Sequence, residues 1–148
     1  MDTRLYNSLR KSIIFKDVSE VNFNEIVNEI PFRILDYKKN EILFFEGDDC
    51  NSIGIVLDGE VEVNKGLTIG KKVNITKIKA GDMFAEAVVF SQYHKFPATI
   101  EASSDSKVLF ISRENIVKMC SKYPDFIEKF MGILSTKISI LNNKVSLL

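Results

Sequence analysis

Two short stretches carry the residue types that could do chemistry: Phe84-Ala85-Glu86-Ala87 and Phe96-Pro97-Ala98-Thr99. Gly81-Asp82 punctuates what precedes the first, and Phe84 to Phe90 has no breaker and no strict alternation, which predicts a short helix. Lys95 to Ala102 reads as a strand. A helix whose first turn is buried against a sheet points backbone N–H groups into a cavity, and those groups with the helix dipole favour an anion. Ala85 and Ala87 are small enough to let a ligand approach that backbone. Glu86, in an otherwise apolar run, is the side chain there that could accept a hydrogen bond from a ligand hydroxyl. This is the shape of a phosphate-binding cassette. Glu86 also has a structural reading, since a buried Glu caps local N–H groups or pairs with a nearby Lys or Arg.

The elements that must position these stretches are legible from periodicity. Leu5, Leu9 and Ile13, then Val21, Ile26, Val27 and Ile30, recur at helical spacing on either side of a break at Phe15 to Ser19. Two short helices are predicted, the second started by an Asn22 or Asn24 cap and stopped by Pro31. From Phe32 to Ser112 the pattern changes to short segments rich in Ile, Val, Phe and Thr between Gly and Asp turns. Predicted strands are Phe32–Tyr37, Glu41–Phe45, Ser52–Leu57, Glu60–Asn64, Lys71–Ile78, Ala98–Ala102 and Lys107–Ile111. Asp58-Gly59 is the strongest hairpin signal, and Lys65-Gly66 to Gly70 marks a looser loop. Many short strands with few helices between them predict an antiparallel barrel or jelly roll, with a ligand pocket where the cassette interrupts it.

After Ser112 the chain is expected to be helical: Arg113 to Ser121, then a second helix with Pro124 in its first turn, running to Leu148. On that helix Leu134, Ile138, Leu141, Val145 and Leu148 form a heptad seam, with Ile133, Ile140 and Leu147 as an adjacent stripe. One stripe can cover the barrel; the other calls for a partner, and a parallel copy of the same helix makes a homodimer.

Composition narrows the function classes. With 148 residues and 45% hydrophobic content, the chain is one domain long and can bury a core without disulfides. Twenty basic residues balance twenty acidic ones, so the chain has no electrostatic footprint for nucleic acid by itself. Cys50 and Cys120 lie far apart without CxxC spacing and read as free thiols of a reducing cytosol. His94 is the single histidine, which argues against a metal-dependent barrel enzyme, a haem or metal ligand set, and a Ser-His-Asp or Cys-His arrangement. No run of 18 apolar residues occurs. A cytoplasmic, non-catalytic protein without a membrane contact or a resident cofactor is expected.

In order and spacing, the Glu46-Gly47-Asp48 turn, Ile55-Val56-Leu57-Asp58-Gly59-Glu60-Val61-Glu62-Val63, Ala80-Gly81-Asp82-Met83-Phe84, Ala98-Thr99 and the closing helix resemble the cyclic nucleotide-binding domains. Within them the chain is most similar to the sensor domain of the catabolite-activator and fumarate-nitrate-regulator (Crp/Fnr) transcription factors. The resemblance implies a mainly β fold with flanking helices: a double-stranded β-helix, or jelly roll. Residues 1–122 would form the N-terminal helices and effector-binding barrel, and 123–148 the dimerisation helix. A regulator of this type continues into a helix-turn-helix, which this chain does not contain, so DNA contact would come only through that further part.

In the nucleotide-binding members the cassette reads Phe-Gly-Glu and, about ten residues on, Arg-Ser-Ala or Arg-Thr-Ala. The resemblance puts Ala85 at the Gly, Glu86 at the Glu that takes the ribose hydroxyl, and Phe96 at the Arg that pairs with the cyclic phosphate. Pro97 and Ala98 follow. Leu141-Asn142 falls where the catabolite activator presents Thr-Ser to adenine. An effector site is thereby implied at Phe84, Ala85, Glu86, Ala87, Phe96, Pro97, Ala98, Thr99, Leu141 and Asn142. The missing charge-assisted bond, worth about 1.5–3 kcal/mol, points away from cAMP and towards another small effector, anionic or aromatic. The alternative is a stand-alone module that still binds cAMP or cGMP through Glu86 and backbone donors.

Overall fold

The structure is a computed structural model that describes residues 1–66 and 72–146. Helix α1 (Thr3–Arg10) is capped by Asp2, whose carboxylate accepts from the Leu5 N–H. Helix α2 (Glu20–Glu29) starts earlier than the Asn22 or Asn24 expectation: Ser19 is the cap, its hydroxyl accepting from the Asn22 N–H at 3.2 Å. Asn22 is used elsewhere, its amide donating to Asp125 at 3.0 Å.

Eight strands follow: β1 (Arg33–Tyr37), β2 (Ile42–Phe44), β3 (Ser52–Asp58), β4 (Glu60–Gly66), β5 (Lys72–Lys79), β6 (Met83–Phe84), β7 (Thr99–Ala102) and β8 (Ser106–Ser112). They form two four-stranded antiparallel sheets, β1-β8-β3-β6 and β2-β7-β4-β5, packed as a jelly roll. The seven expected strands are present to within a residue or two; the two-residue β6 is too short to leave a periodic signal. Lys65 and Gly66, expected to open a loose loop reaching Gly70, instead end β4, because they pair with Val73 and Lys72 of β5; the rest of that loop and Lys71, the expected first residue of a strand, lie outside the described residues.

Asp58-Gly59 is not a hairpin. Strand β3 pairs with β6 and β8, whereas β4 pairs with β5 and β7, so Gly59 carries the chain round the corner from one sheet to the other. Glycine is required there twice over: φ is +83°, and a Cβ would lie 2.3 Å from the Asp105 carbonyl oxygen. The local signal for a tight turn was correct, but pairing across it is a tertiary choice.

Helix α3 (Arg113–Lys122), capped by Ser112, and helix α4 (Pro124–Ser146) close the fold. Phe15, Phe23, Phe126 and Phe130 are fully buried and interleave where the N-terminal helices meet α4, with Phe126 and Phe130 stacked and Phe15 edge-on to Phe23. Through Phe126, Phe130 and Ile133 the helix covers its own domain; Leu134 is half-buried on the same side. From Ile138 to Asn143 every residue is exposed, so this half of α4 projects from the domain. Leu134, placed in the partner-facing seam from sequence, therefore packs at home, while Ile138 and Leu141 remain uncovered. Leu147 and Leu148 lie outside the described residues, as does the side chain of Val145.

Candidate functional site

The cassette begins at Gly81, which hydrogen bonds tie to two neighbours: its carbonyl accepts from the Ile13 N–H at 2.8 Å, and its N–H donates to Val56 of β3 at 2.8 Å. Strand β6 then lays Phe84 directly on β3 opposite Gly54. That glycine is dictated by close approach, because a Cβ there would sit 2.2 Å from the Phe84 ring. The ring is held inside the barrel, edge-on to Phe110.

The helix expected from Phe84 onwards does not form. Phe84 ends β6, and residues 85–90 are successive turns in which Val88 and Val89 N–H groups donate to the Ala85 carbonyl. With no helix there is no helix dipole aimed at the cavity to favour an anion. Ala85 instead adopts a left-handed backbone, φ +71°, a conformation that costs a residue with a Cβ about 1 kcal/mol. This reversal turns Glu86 inwards.

A cavity of about 380 Å³ lies between the cassette, β4, β5, β7 and α4. Phe84, Ala85, Glu86, Phe96, Pro97 and Ala98 are all on its wall, together with apolar groups such as Val63, Ile78, Val88 and Ile100. Four of the sequence-derived positions are not. Ala87 is exposed, Thr99 spends its hydroxyl accepting from the Glu46 N–H at 3.1 Å, and Leu141 and Asn142 lie on the projecting half of α4. A larger hollow, about 710 Å³, is an external groove between α4 and the segment after α1, and the cassette contributes nothing to it.

Phe96 is 3% exposed and stacked on Phe44, with ring centroids 4.3 Å apart. Phe44 in turn meets Phe110 edge-on, so Phe96, Phe44, Phe110 and Phe84 form a continuous aromatic series through the barrel interior. Strand alternation turns Lys95 outwards, where it pairs with Asp49 at 2.7 Å. Lys95 is therefore not on the cavity wall.

One functional side chain escaped the sequence reading. Lys137 reaches from α4 to Glu86, Nζ to Oε1 2.5 Å, and lies 4.0 Å from Asp82. The Glu86 side chain is only 11% exposed and that of Lys137 39%. The ion pair thus fastens the long helix to the cassette across the cavity, the structural role for Glu86 weighed from sequence. A lysine amid a heptad pattern gives no signal of a contact 51 positions away. Lys77, the other lysine on the cavity wall, lies 3.9 Å from Glu60. Among the described residues no group of three or more His, Cys, Asp or Glu could hold a metal, and no helix is long and apolar enough to cross a membrane.

Comparison with known proteins decides the family. The profile described as "Cyclic nucleotide-binding domain" matches residues 34–123, most of the barrel with α3. The chain belongs to the cyclic nucleotide-binding domain family. Within that family it is similar to the anaerobic regulatory protein of Bacillus subtilis, 22% identical over 73% of this chain and 45% of the relative. The chain spans about half the length of the curated relatives it matches. Its fold superposes on the catabolite activator protein of Thermus thermophilus with TM-score 0.78, at 17% identity, covering 92% of this chain and 62% of that one. It also superposes on the sensor domain of the transcriptional regulator DNR from Pseudomonas aeruginosa with TM-score 0.75, at 18% identity, covering 96% and 91%. The chain is thus a cyclic nucleotide-binding domain by family, and in sequence it is related to regulators of the Crp/Fnr type.

Proposed function

We propose that this chain is the effector-sensing domain of a cytoplasmic Crp/Fnr-type transcription regulator, and that the effector occupying its cavity is not a cyclic nucleotide. The observation that carries the second part is Phe96. By the family resemblance it stands where nucleotide-binding members carry the phosphate-pairing arginine; here it is buried against Phe44, and the lysines on the wall already face Glu60 and Glu86. A phosphate entering this space would find a cation only by drawing Lys137 from Glu86 or Lys77 from Glu60, which leaves that carboxylate unpaired in exchange.

In this reading residues 1–122 sense and α4 transmits. The projecting apolar half of α4 pairs with a second copy in a homodimer, and DNA is read by a helix-turn-helix outside this chain. An effector that binds one arrangement of α4 better than another shifts the pose of the two copies by that difference in affinity and no more.

Isothermal titration with cyclic AMP and cyclic GMP tests the choice of ligand. No saturable heat up to about 1 mM ligand, where binding free energy falls to about −4 kcal/mol, is the expected result. Affinity near 10 μM would restore the second reading, a stand-alone cAMP- or cGMP-binding module. That reading is favoured by Glu86, which lines the cavity and, by the family resemblance, matches the Glu that takes the ribose hydroxyl.

A further inference from the structure

Resting on the reading of this cavity as the effector site, we propose that its ligand is a small amine, an apolar and preferably aromatic body carrying a cationic head, and that Glu86 receives the head while Lys137 is displaced. The polar end of the cavity holds two carboxylates, Asp82 and Glu86, against one ammonium, that of Lys137. Lys77, also on the cavity wall, lies 3.9 Å from Glu60, which is not on it. A ligand carboxylate or phosphate placed beside Glu86 meets the like charges of Glu86 and Asp82.

The partners of the ion pair differ in how they can be released. Lys137 is more than a third exposed and ends a flexible four-carbon stem, so its ammonium can swing into water and keep its hydration. Glu86 follows a reversed turn and is only 11% exposed, so its carboxylate has little access to water. Exchange of Lys137 for a ligand ammonium leaves no buried charge unpaired, whereas exchange of Glu86 for a ligand anion strands a carboxylate. The remaining wall suits an aromatic body: the Phe84 and Phe96 rings with Val63, Val88 and Ile100. An ammonium close to such rings gains further attraction from their faces. Release of Lys137 would also unfasten α4 from the cassette, which links occupancy of the cavity to the helix.

The test is an amide chemical-shift titration of the isotope-labelled chain with 2-phenylethylamine, 2-phenylethanol and 3-phenylpropionate, which share a ring and differ in head group. The amine is expected to perturb the cassette and residues 96–98 and to bind about tenfold more tightly than the alcohol. Glu86→Gln should remove that advantage. Lys137→Met, which leaves the carboxylates waiting, should strengthen amine binding severalfold, an effect that a purely structural role for Lys137 would not produce. Tightest binding by the propionate, lost in Lys137→Met, would overturn the amine assignment and leave the cavity as an effector site. Equal binding of amine and alcohol would overturn it in the same way. No perturbation by any probe would overturn both.

Discussion

Ala85 holds a left-handed backbone with φ +71° at the point where the chain leaves β6 and turns Glu86 into the cavity. Its methyl group makes that conformation costly, and a β-branched side chain would make it more so. Ala85→Val is accordingly expected to destabilise the domain by about 1–3 kcal/mol, whereas Ala85→Gly should leave stability unchanged within about 1 kcal/mol, the relief of strain being offset by added freedom of the unfolded chain. Urea denaturation of the three proteins checks the order; a Val variant as stable as the parent would show that the turn is not fixed in this form. The neighbouring residues behave as ordinary barrel chemistry. Phe96 is an interior aromatic of the Phe44 stack, and Gly54 exists so that Phe84 can lie on β3.

At the scale of elements, the fold depends on how α2 and α4 are joined. Asp125, in the first turn of α4, accepts from the Ser19 N–H at 2.9 Å and from the Asn22 amide at 3.0 Å, capping the entrance of α2 from a distant part of the chain. Burial alone would raise its pKa, but these bonds to the charged form outweigh that and hold it below the usual range. A carboxylate depressed in the folded state stabilises the fold while ionised, and the contribution disappears as pH falls through its folded pKa. Stability should therefore decline as pH drops below about 4, with a shallower decline in Asp125→Asn. Removal of the acceptors in Asp125→Ala should cost about 1–3 kcal/mol near neutral pH. Chemical denaturation at pH 7 and pH 3.5 measures both effects, and a parent whose stability is flat over this interval would contradict the assignment.

For the molecule as a whole, the sidedness of α4 matters most. Its first half is consumed by its own domain through Phe126, Phe130 and Ile133, while Ile138 and Leu141 in the projecting half are 59% and 63% exposed. Apolar side chains in that position are expected to bury against a second copy. Light scattering should give a dimeric mass for the chain and a monomeric mass for Leu141→Glu. The thermal stability of the isolated domain should be little changed by this substitution, because Leu141 contributes nothing to its core. A parent that is monomeric at high concentration would remove the dimer from the proposal.

Much of this architecture follows from the chain's own pattern, because strand alternation, turn residues and helix caps act over a few positions. That is why seven strands and both closing helices could be placed, and why Lys95 could be put on the face opposite Phe96; the match of Phe96 to an arginine came from the family resemblance and not from the pattern. Other features required the tertiary structure. Gly59 demands a turn whichever strands flank it, and only packing of the two sheets made it a corner. Phe84 to Phe90 could form a helix by propensity, but pairing of Met83 and Phe84 with β3 took its start into the sheet. Glu86 was ambiguous because its partner stands 51 residues away. Lys137 reaches it only after the barrel has closed and α4 has been laid across it, and long-range ion pairs of this kind leave no periodicity to read.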